Sequence, residues 1–225
     1  MEYELKYTFL NHRADFVRRL IAAKFKPDPK YSQGVVTSIY FDSKDMQMYE
    51  EKRASTYLKK KIRLRWYLDA QTGQPDEDAF WEVKSRIGTQ RKKTRIVSNL
   101  KPTLLEQIKI DDPILIKEAA NQQQEVSGEI IFPSVMIRYT RHRYIDPVNG
   151  SRVNVDTDIY ARKISRSLAN ESSQACLPLA VLEYKGEHDS LSPLLSTLGV
   201  VGLKKQAFSK YESTIKWVKS NQQLL

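Results

Sequence analysis

The chain has 225 residues, 40% of them hydrophobic and 28% charged, which is typical of a folded globular protein and argues against a disordered or fibrous one. A single cysteine, Cys176, excludes an internal disulfide and a zinc site of several thiolates, and the chain has neither an apolar leader nor a membrane-spanning stretch, so we expect a cytoplasmic protein. Thirty-seven Lys and Arg against 27 Asp and Glu give a net charge of +10, which favours an anionic partner.

Eight segments alternate in the way of β-strands and are rich in β-branched and aromatic residues. In chain order they span residues 2–10, 34–42, 57–68, 79–86, 91–97, 134–145, 151–157 and 178–186. Most of the connections are short enough for hairpins, and the pair Asn149-Gly150 favours a tight turn with positive φ. A largely antiparallel sheet is therefore predicted.

Four helices are predicted between or after these strands. They cover residues 11–25, 103–122, 190–198 and 209–220. The second contains Asp112-Pro113, a potential break, because proline cannot donate a backbone hydrogen bond. With few glycines and prolines and no repeat, residues 1–225 are expected to form one α+β domain.

Charged and apolar residues alternate within seven of the strands, so each strand carries them on opposite faces. In one strand Lys61, Arg63 and Arg65 alternate with apolar residues. One interpretation is that the charged faces point to water. The other is a closed eight-stranded antiparallel barrel with a polar interior and helices packed on its outer, apolar face.

A basic interior requires interspersed carboxylates or a bound polyanion to balance its charge, and phosphate suits arginine because the guanidinium fork holds two oxygens at once. The basic residues of this face are Lys6, Arg63, Arg65, Lys84, Lys93, Arg95, Arg141 and Arg152. The carboxylates Glu4, Glu82 and Glu183 provide the oxygen ligands that Mg²⁺ or Mn²⁺ prefers.

Eight short segments carry a more specific pattern. They are Glu4-Leu5-Lys6-Tyr7, residues 37–42, residues 61–67, Trp81-Glu82-Val83-Lys84, Tyr139-Thr140-Arg141, residues 152–157, residues 180–185 and Phe208-Ser209-Lys210-Tyr211. Their order from residue 4 to residue 211 resembles the vacuolar transporter chaperone (VTC) domain, the polyphosphate polymerase branch of the triphosphate tunnel metalloenzymes.

The resemblance implies an eight-stranded antiparallel tunnel and a metal-dependent phosphotransferase. Such an enzyme moves the γ-phosphate of ATP onto a growing inorganic polyphosphate chain, or onto pyrophosphate, with Mn²⁺ or Mg²⁺. Glu183 matches the metal ligand, and the residues expected to be catalytic are Lys6, Arg63, Arg65, Lys84, Arg141 and Arg152. Further substrate contacts are implied for Lys93, Tyr139, Ser209 and Lys210, and the alternation adds Glu4, Glu82, Arg95 and Lys185.

Two other functions remain open. The spacing Glu2-x-Glu4-x-Lys6 is similar to the wider tunnel superfamily, which includes triphosphatases, and Ala207 stands where the polymerase pattern has lysine. A tunnel triphosphatase that hydrolyses tripolyphosphate or nucleoside triphosphate is one alternative. A non-catalytic module that binds polyanions is the other, and it would bind without metal and lose affinity steeply with salt.

Sequence-specific binding of nucleic acid is not expected, because the chain has no glycine-rich phosphate loop, zinc finger or RNA-recognition motif. Five aromatic residues could stack on bases: Tyr3, Tyr7, Tyr40, Trp66 and Trp81. Most of them alternate with the basic residues and so lie on the opposite face, which favours packing in the core.

Overall fold

A computed structural model describes residues 3–54, 56–88, 90–122, 128–169, 175–187 and 190–222. Within these ranges eight strands have eight or more residues: β1 (Tyr3–Leu10), β3 (Gln33–Asp42), β4 (Leu58–Leu68), β5 (Phe80–Ile87), β6 (Gln90–Val97), β7 (Phe132–Ile145), β8 (Arg152–Ile164) and β10 (Leu179–Gly186). Three more have two residues each: β2 (Lys26–Pro27), β9 (Ala175–Cys176) and β11 (Lys204–Lys205). The long strands confirm the eight predicted ones, and β8 continues past the predicted end.

The described helices are α1 (Ala14–Ala22), α2 (Gln47–Arg53), α3 (Pro102–Gln107), α4 (Pro113–Asn121) and α5 (Lys210–Gln222), with 3₁₀ segments at Asn11–Arg13 and Pro193–Val201. The predicted helix 103–122 is divided where Asp112 caps α4 by accepting the Ile114 N–H at 2.9 Å. Helix α2 was not predicted, and the predicted helix 190–198 is a 3₁₀ segment. Among the described residues, no helix has both the length and the apolar character needed to cross a membrane.

The chain divides into two compact units, and strands β7 and β8 contribute residues to both. Unit 1 consists of Met1–Val35, Tyr139–Ile159 and Cys176–Ser209, and unit 2 consists of Val36–Arg138, Tyr160–Ala175 and Lys210–Leu225. The single domain expected for residues 1–225 stays a prediction.

In unit 1 the strand order is β11, β1, β10, β8 and β7. β1 is antiparallel to β10, with Lys6 opposite Glu183, and β10 is antiparallel to β8. Leu182 of β10 belongs to one buried cluster with Val17 and Ile21 of α1. Because side chains alternate along a strand, the charged residues between these apolar positions occupy the other face.

In unit 2 the strands β3, β4, β5 and β6 are neighbours in that order. The pairs β4–β5 and β5–β6 are antiparallel, and their register places Arg63 opposite Glu82 and Glu82 opposite Arg95. These three residues therefore share one face of the sheet. The sequence alternation correctly predicts which side chains lie together here.

The other face of β4 and β5 carries Trp66 and Trp81, both fully buried. The Trp66 indole donates to Glu106 of α3 at 2.7 Å, and that of Trp81 donates to Glu118 of α4 at 3.4 Å. Burying a tryptophan removes roughly 150–250 Å² of surface from water, which contributes on the order of 4–6 kcal/mol to the stability of the fold. Both tryptophans thus contribute to the core, as predicted, and helices α3 and α4 cover this face.

Asp42, at the end of β3, is a buried carboxylate that joins three elements. It accepts hydrogen bonds from the backbone N–H groups of Ser43 and Met48 at 2.8 Å and of Tyr49 at 3.0 Å. The hydroxyl of Tyr211 in α5 also donates to it, at 2.8 Å. These bonds attach α2 and α5 to the end of β3.

Replacing Asp42 by Asn is expected to lower the free energy of unfolding by about 1–3 kcal/mol, because the amide nitrogen cannot accept the hydrogen bonds of one carboxylate oxygen. Urea denaturation of Asp42→Asn measures this loss. The control is Asp45→Asn, at an exposed aspartate three residues away, which should change stability by less than about 0.5 kcal/mol. Equal effects of the two substitutions would contradict the assignment.

Candidate functional site

The charged face of unit 2 is organised around the carboxylate of Glu82. Arg63 donates to its Oε2 from Nε at 2.8 Å and from NH2 at 2.5 Å. Arg65 NH1 lies 3.5 Å from the same oxygen, and Lys93 Nζ lies 3.6 Å from Oε1. Burial raises the pKa of Glu82, but the charges of Arg63 and Arg65 outweigh it and hold the pKa well below its usual range. We call these four residues the Glu82 cluster.

Three lysines lie side by side on the same face. The register pairs Lys61 with Lys84 and Lys84 with Lys93 across β4, β5 and β6. Like charges directly opposite each other in a sheet are destabilising. A bound polyanion would remove this repulsion, so the arrangement favours an anionic ligand.

Two side chains of β3 contact the same arginines. Arg63 NH1 donates to the Tyr40 hydroxyl at 3.3 Å, and Arg65 Nε donates to Ser38 Oγ at 3.1 Å. The Tyr40 ring is buried and stacks on Tyr211, with ring centroids 5.2 Å apart. For Tyr40 the sequence favours packing in the core over stacking on bases, and its contact with Arg63 was not predicted.

The charged face of unit 1 is organised around the carboxylate of Glu183. Lys6 Nζ lies 3.3 Å from Oε1, and Arg141 NH2 donates to Oε2 at 3.1 Å. Arg141 also holds Asp156 through two hydrogen bonds of 2.6 Å. Burial lowers the pKa of Arg141, but Asp156, Tyr139 and Glu183 raise it well above its usual value, so the guanidinium stays charged.

Glu4 links two lysines at the edge of this group, with Oε1 3.5 Å from Lys6 Nζ and 3.5 Å from Lys185 Nζ. The register places Lys185 opposite both Glu4 and Arg152, and Arg152 is exposed. The Glu183 cluster is the set Glu4, Lys6, Arg141, Asp156 and Glu183. It is a group of alternating charges in which each cation faces a carboxylate.

The remaining predicted residues lie in both units. Tyr139 is buried in unit 1 with the Arg141 guanidinium 5.5 Å from its ring centre. Ser209 is buried in unit 1, and Lys210 is buried at the start of α5 in unit 2. Arg95 lies over the Phe80 ring at 3.7 Å.

The two units divide the predicted site residues. Unit 1 holds Glu4, Lys6, Tyr139, Arg141, Arg152, Glu183, Lys185 and Ser209, and unit 2 holds Arg63, Arg65, Glu82, Lys84, Lys93, Arg95 and Lys210. Glu2 lies outside the described residues. Asp156 was not among the predicted site residues, and its bond with Arg141 was not predicted.

The donor chemistry of Glu183 fits a hard divalent cation. Mg²⁺ binds through one or two carboxylates, substrate phosphates and water, and Mn²⁺ also favours oxygen ligands. In the ranges that the structure describes, no three His, Cys, Asp or Glu side chains gather as a metal-binding group. The oxygens of Glu183 contact two cations, Lys6 and Arg141, whereas those of Glu82 contact three.

The profile of one protein family, described as the VTC domain, matches residues 1–219. The chain belongs to the VTC domain family. The match extends over nearly the whole sequence and confirms the resemblance seen in the eight ordered segments. No significantly similar sequence was found among curated proteins.

One solved structure shows a related fold at low sequence identity. A protein from Pyrococcus horikoshii OT3 has 10% identity and a TM-score of 0.51, covering 95% of this chain and 99% of that one. Two candidate adenylate cyclases have TM-scores of 0.47: one from Vibrio parahaemolyticus with 12% identity (96% and 97% covered) and one from Bacillus halodurans with 10% (92% and 95%). The predicted fold class, α+β with an antiparallel sheet, is confirmed.

Proposed function

We propose that this VTC-domain protein is a polyphosphate polymerase, which transfers the γ-phosphate of ATP onto a growing inorganic polyphosphate chain with Mn²⁺ or Mg²⁺. Family membership supports the coarser part of this proposal, a phosphate-handling enzyme of the tunnel fold. The observation that carries the finer part is the presence of two clusters of Arg and Lys around buried carboxylates, Glu82 and Glu183.

In this proposal the arginines and lysines of the two clusters bind the phosphate groups and neutralise their charge. Phosphoryl transfer depends on positioning and on neutralising charge at the phosphate oxygens, and it needs no protein nucleophile. In unit 2 Arg63 and Arg65 bind phosphate oxygens while Glu82 fixes their orientation. In unit 1 Lys6 and Arg141 do the same, oriented by Glu183 and by Asp156.

Glu183 would hold the divalent ion, which when bound neutralises charge on the transferred phosphate and orients it. Ser209 and Tyr139 add hydrogen bonds, and Lys210 binds the polymer end. The attacking group is an oxygen of the terminal phosphate of pyrophosphate or polyphosphate. It forms a bond to the γ-phosphorus of ATP while the bond to the β-phosphate oxygen breaks, and ADP leaves.

The test is to incubate the purified chain with ATP and Mn²⁺, with and without pyrophosphate, and to measure long-chain polyphosphate on gels, ADP and free phosphate. Polymer together with an equivalent amount of ADP supports the proposal. Free phosphate without polymer would contradict it in favour of a tunnel triphosphatase. Tripolyphosphate binding without turnover of several triphosphates would contradict it in favour of a polyanion-binding module.

Arg65→Ala is expected to reduce turnover at least about a hundredfold, because one positively charged fork aimed at phosphate oxygens is lost. The matched control is Arg53→Ala, which removes an arginine of the same unit that is 59% exposed and pairs with Glu50. Circular dichroism shows whether both variants stay folded. Turnover of Arg65→Ala equal to that of Arg53→Ala would refute the role of Arg65.

A further inference from the structure

The Tyr40 phenol has an environment that is unusual for a core tyrosine. It is 2% exposed, yet its oxygen accepts a hydrogen bond from Arg63 NH1 at 3.3 Å. On its other side the ring stacks on Tyr211, whose own hydroxyl donates to Asp42. The phenol oxygen is thus directed to the cations of β4 by two fixed neighbours.

Positive charges predominate around this oxygen. Lys61, Arg63 and Arg65 of β4 and Lys210 of α5 all act on Tyr40 electrostatically. Glu82 of β5 contacts two of these cations, Arg63 and Arg65. Asp42, two residues after Tyr40 in β3, accepts hydrogen bonds from the Tyr211 hydroxyl and from three backbone N–H groups.

We propose that Tyr40 is a positioning residue whose phenol exchanges with substrate as the counter-ion of Arg63. Without substrate the deprotonated oxygen of Tyr40 accepts the Arg63 hydrogen bond and balances positive charge of the Glu82 cluster. When a phosphate group binds Arg63, its negative charge replaces that of the phenolate, which takes one proton from solvent. The neutral O–H can then donate to a phosphate oxygen.

The electrostatics of the free protein agree with this exchange. Burial raises the pKa of Tyr40, but the charges of Arg63, Lys61, Arg65 and Lys210 lower it, to about 7. A bound polyphosphate adds negative charge beside the phenol and must move this pKa upward. Binding then takes up a proton above pH 7, so affinity for polyphosphate falls as pH rises through the pKa of the free protein.

The inference rests on the proposed function only in one respect: it assumes that phosphate groups bind the charged face of unit 2. Its test therefore measures binding and titration, and does not require the protein to turn over a substrate. The probe is inorganic tripolyphosphate, added to the full chain without metal. The near-ultraviolet absorbance of tyrosinate is followed against pH for the wild type and for Tyr40→Phe, which keeps the stacked ring. Tyr49→Phe is the control, because burial raises the pKa of Tyr49.

One tyrosine of the wild type should titrate with a midpoint near 7, and this signal should persist in Tyr49→Phe and vanish in Tyr40→Phe. Saturating tripolyphosphate should move the midpoint upward, and affinity should fall about tenfold per pH unit between the two midpoints. A wild-type spectrum with no tyrosine titrating well below its ordinary pKa would overturn the proposal without any variant. So would a midpoint that tripolyphosphate leaves unchanged.

The polymer assay separates this inference from the proposed function. If Tyr40 titrates as described but no polymer forms, the exchange at Tyr40 is supported and the proposed polymerase activity is contradicted. If polymer forms but Tyr40 does not titrate in this way, only the proposed role of Tyr40 is contradicted.

Discussion

Replacing Glu183 by Gln is expected to reduce metal-dependent turnover at least about a hundredfold, because the amide loses the charge that a hard divalent cation requires. The free energy of unfolding should fall by only about 1–2 kcal/mol. The reason is that the cations beside Glu183 each have a second carboxylate: Lys6 contacts Glu4, and Arg141 holds Asp156. Steady-state rates over a range of Mn²⁺ concentrations and urea denaturation measure the two effects.

Asp156→Asn is the matched comparison, because Asp156 is fully buried and accepts two hydrogen bonds of 2.6 Å from Arg141, which Glu183 also contacts. Breaking this buried pair should cost about 3–5 kcal/mol, more than Glu183→Gln. The rate of the Asp156→Asn variant should depend on Mn²⁺ concentration in the same way as the rate of the wild type. If Glu183→Gln kept the wild-type rate and Mn²⁺ dependence, Glu183 would not be the metal ligand.

The sequence predicted the strands well where one face is apolar and the other charged. In β4, Ile62 and Leu64 are fully buried, and Arg63 and Arg65 lie on the opposite face. In β3 the residues from Val36 to Asp42 are all buried, so alternation does not separate its faces. This is why the contact of Tyr40 with Arg63 was not found.

Helix α2 and the bond of Asp156 to Arg141 were missed for a different reason. The residue before α2, Met46, has φ of 58° and no capping side chain, and two N–H groups of the helix bond to Asp42 of another element. Asp156 shares its face with several charged groups, and the alternation does not say which arginine is close enough to form two bonds. Both features depend on contacts between residues that are distant in the sequence.

Replacing Glu82 by Gln is expected to lower the free energy of unfolding by about 3–5 kcal/mol at neutral pH. The carboxylate is 2% exposed and lies within 3.6 Å of side-chain nitrogens of Arg63, Arg65 and Lys93. The substitution removes the negative charge that opposes these cations. Glu50→Gln is the control, because this half-exposed residue pairs with Arg53 and should contribute less than about 1 kcal/mol.

The dependence on pH distinguishes this charge from a packing defect. Because the folded protein holds the pKa of Glu82 well below its usual value of 4.5, the carboxylate stabilises the fold fully above that value. The contribution declines as pH falls below 4.5 towards the lower pKa of the folded state. The difference in unfolding free energy between the wild type and Glu82→Gln should therefore shrink on acidification. A difference that stays constant down to acid pH would mean that lost packing, and not the charge among three cations, destabilises the variant.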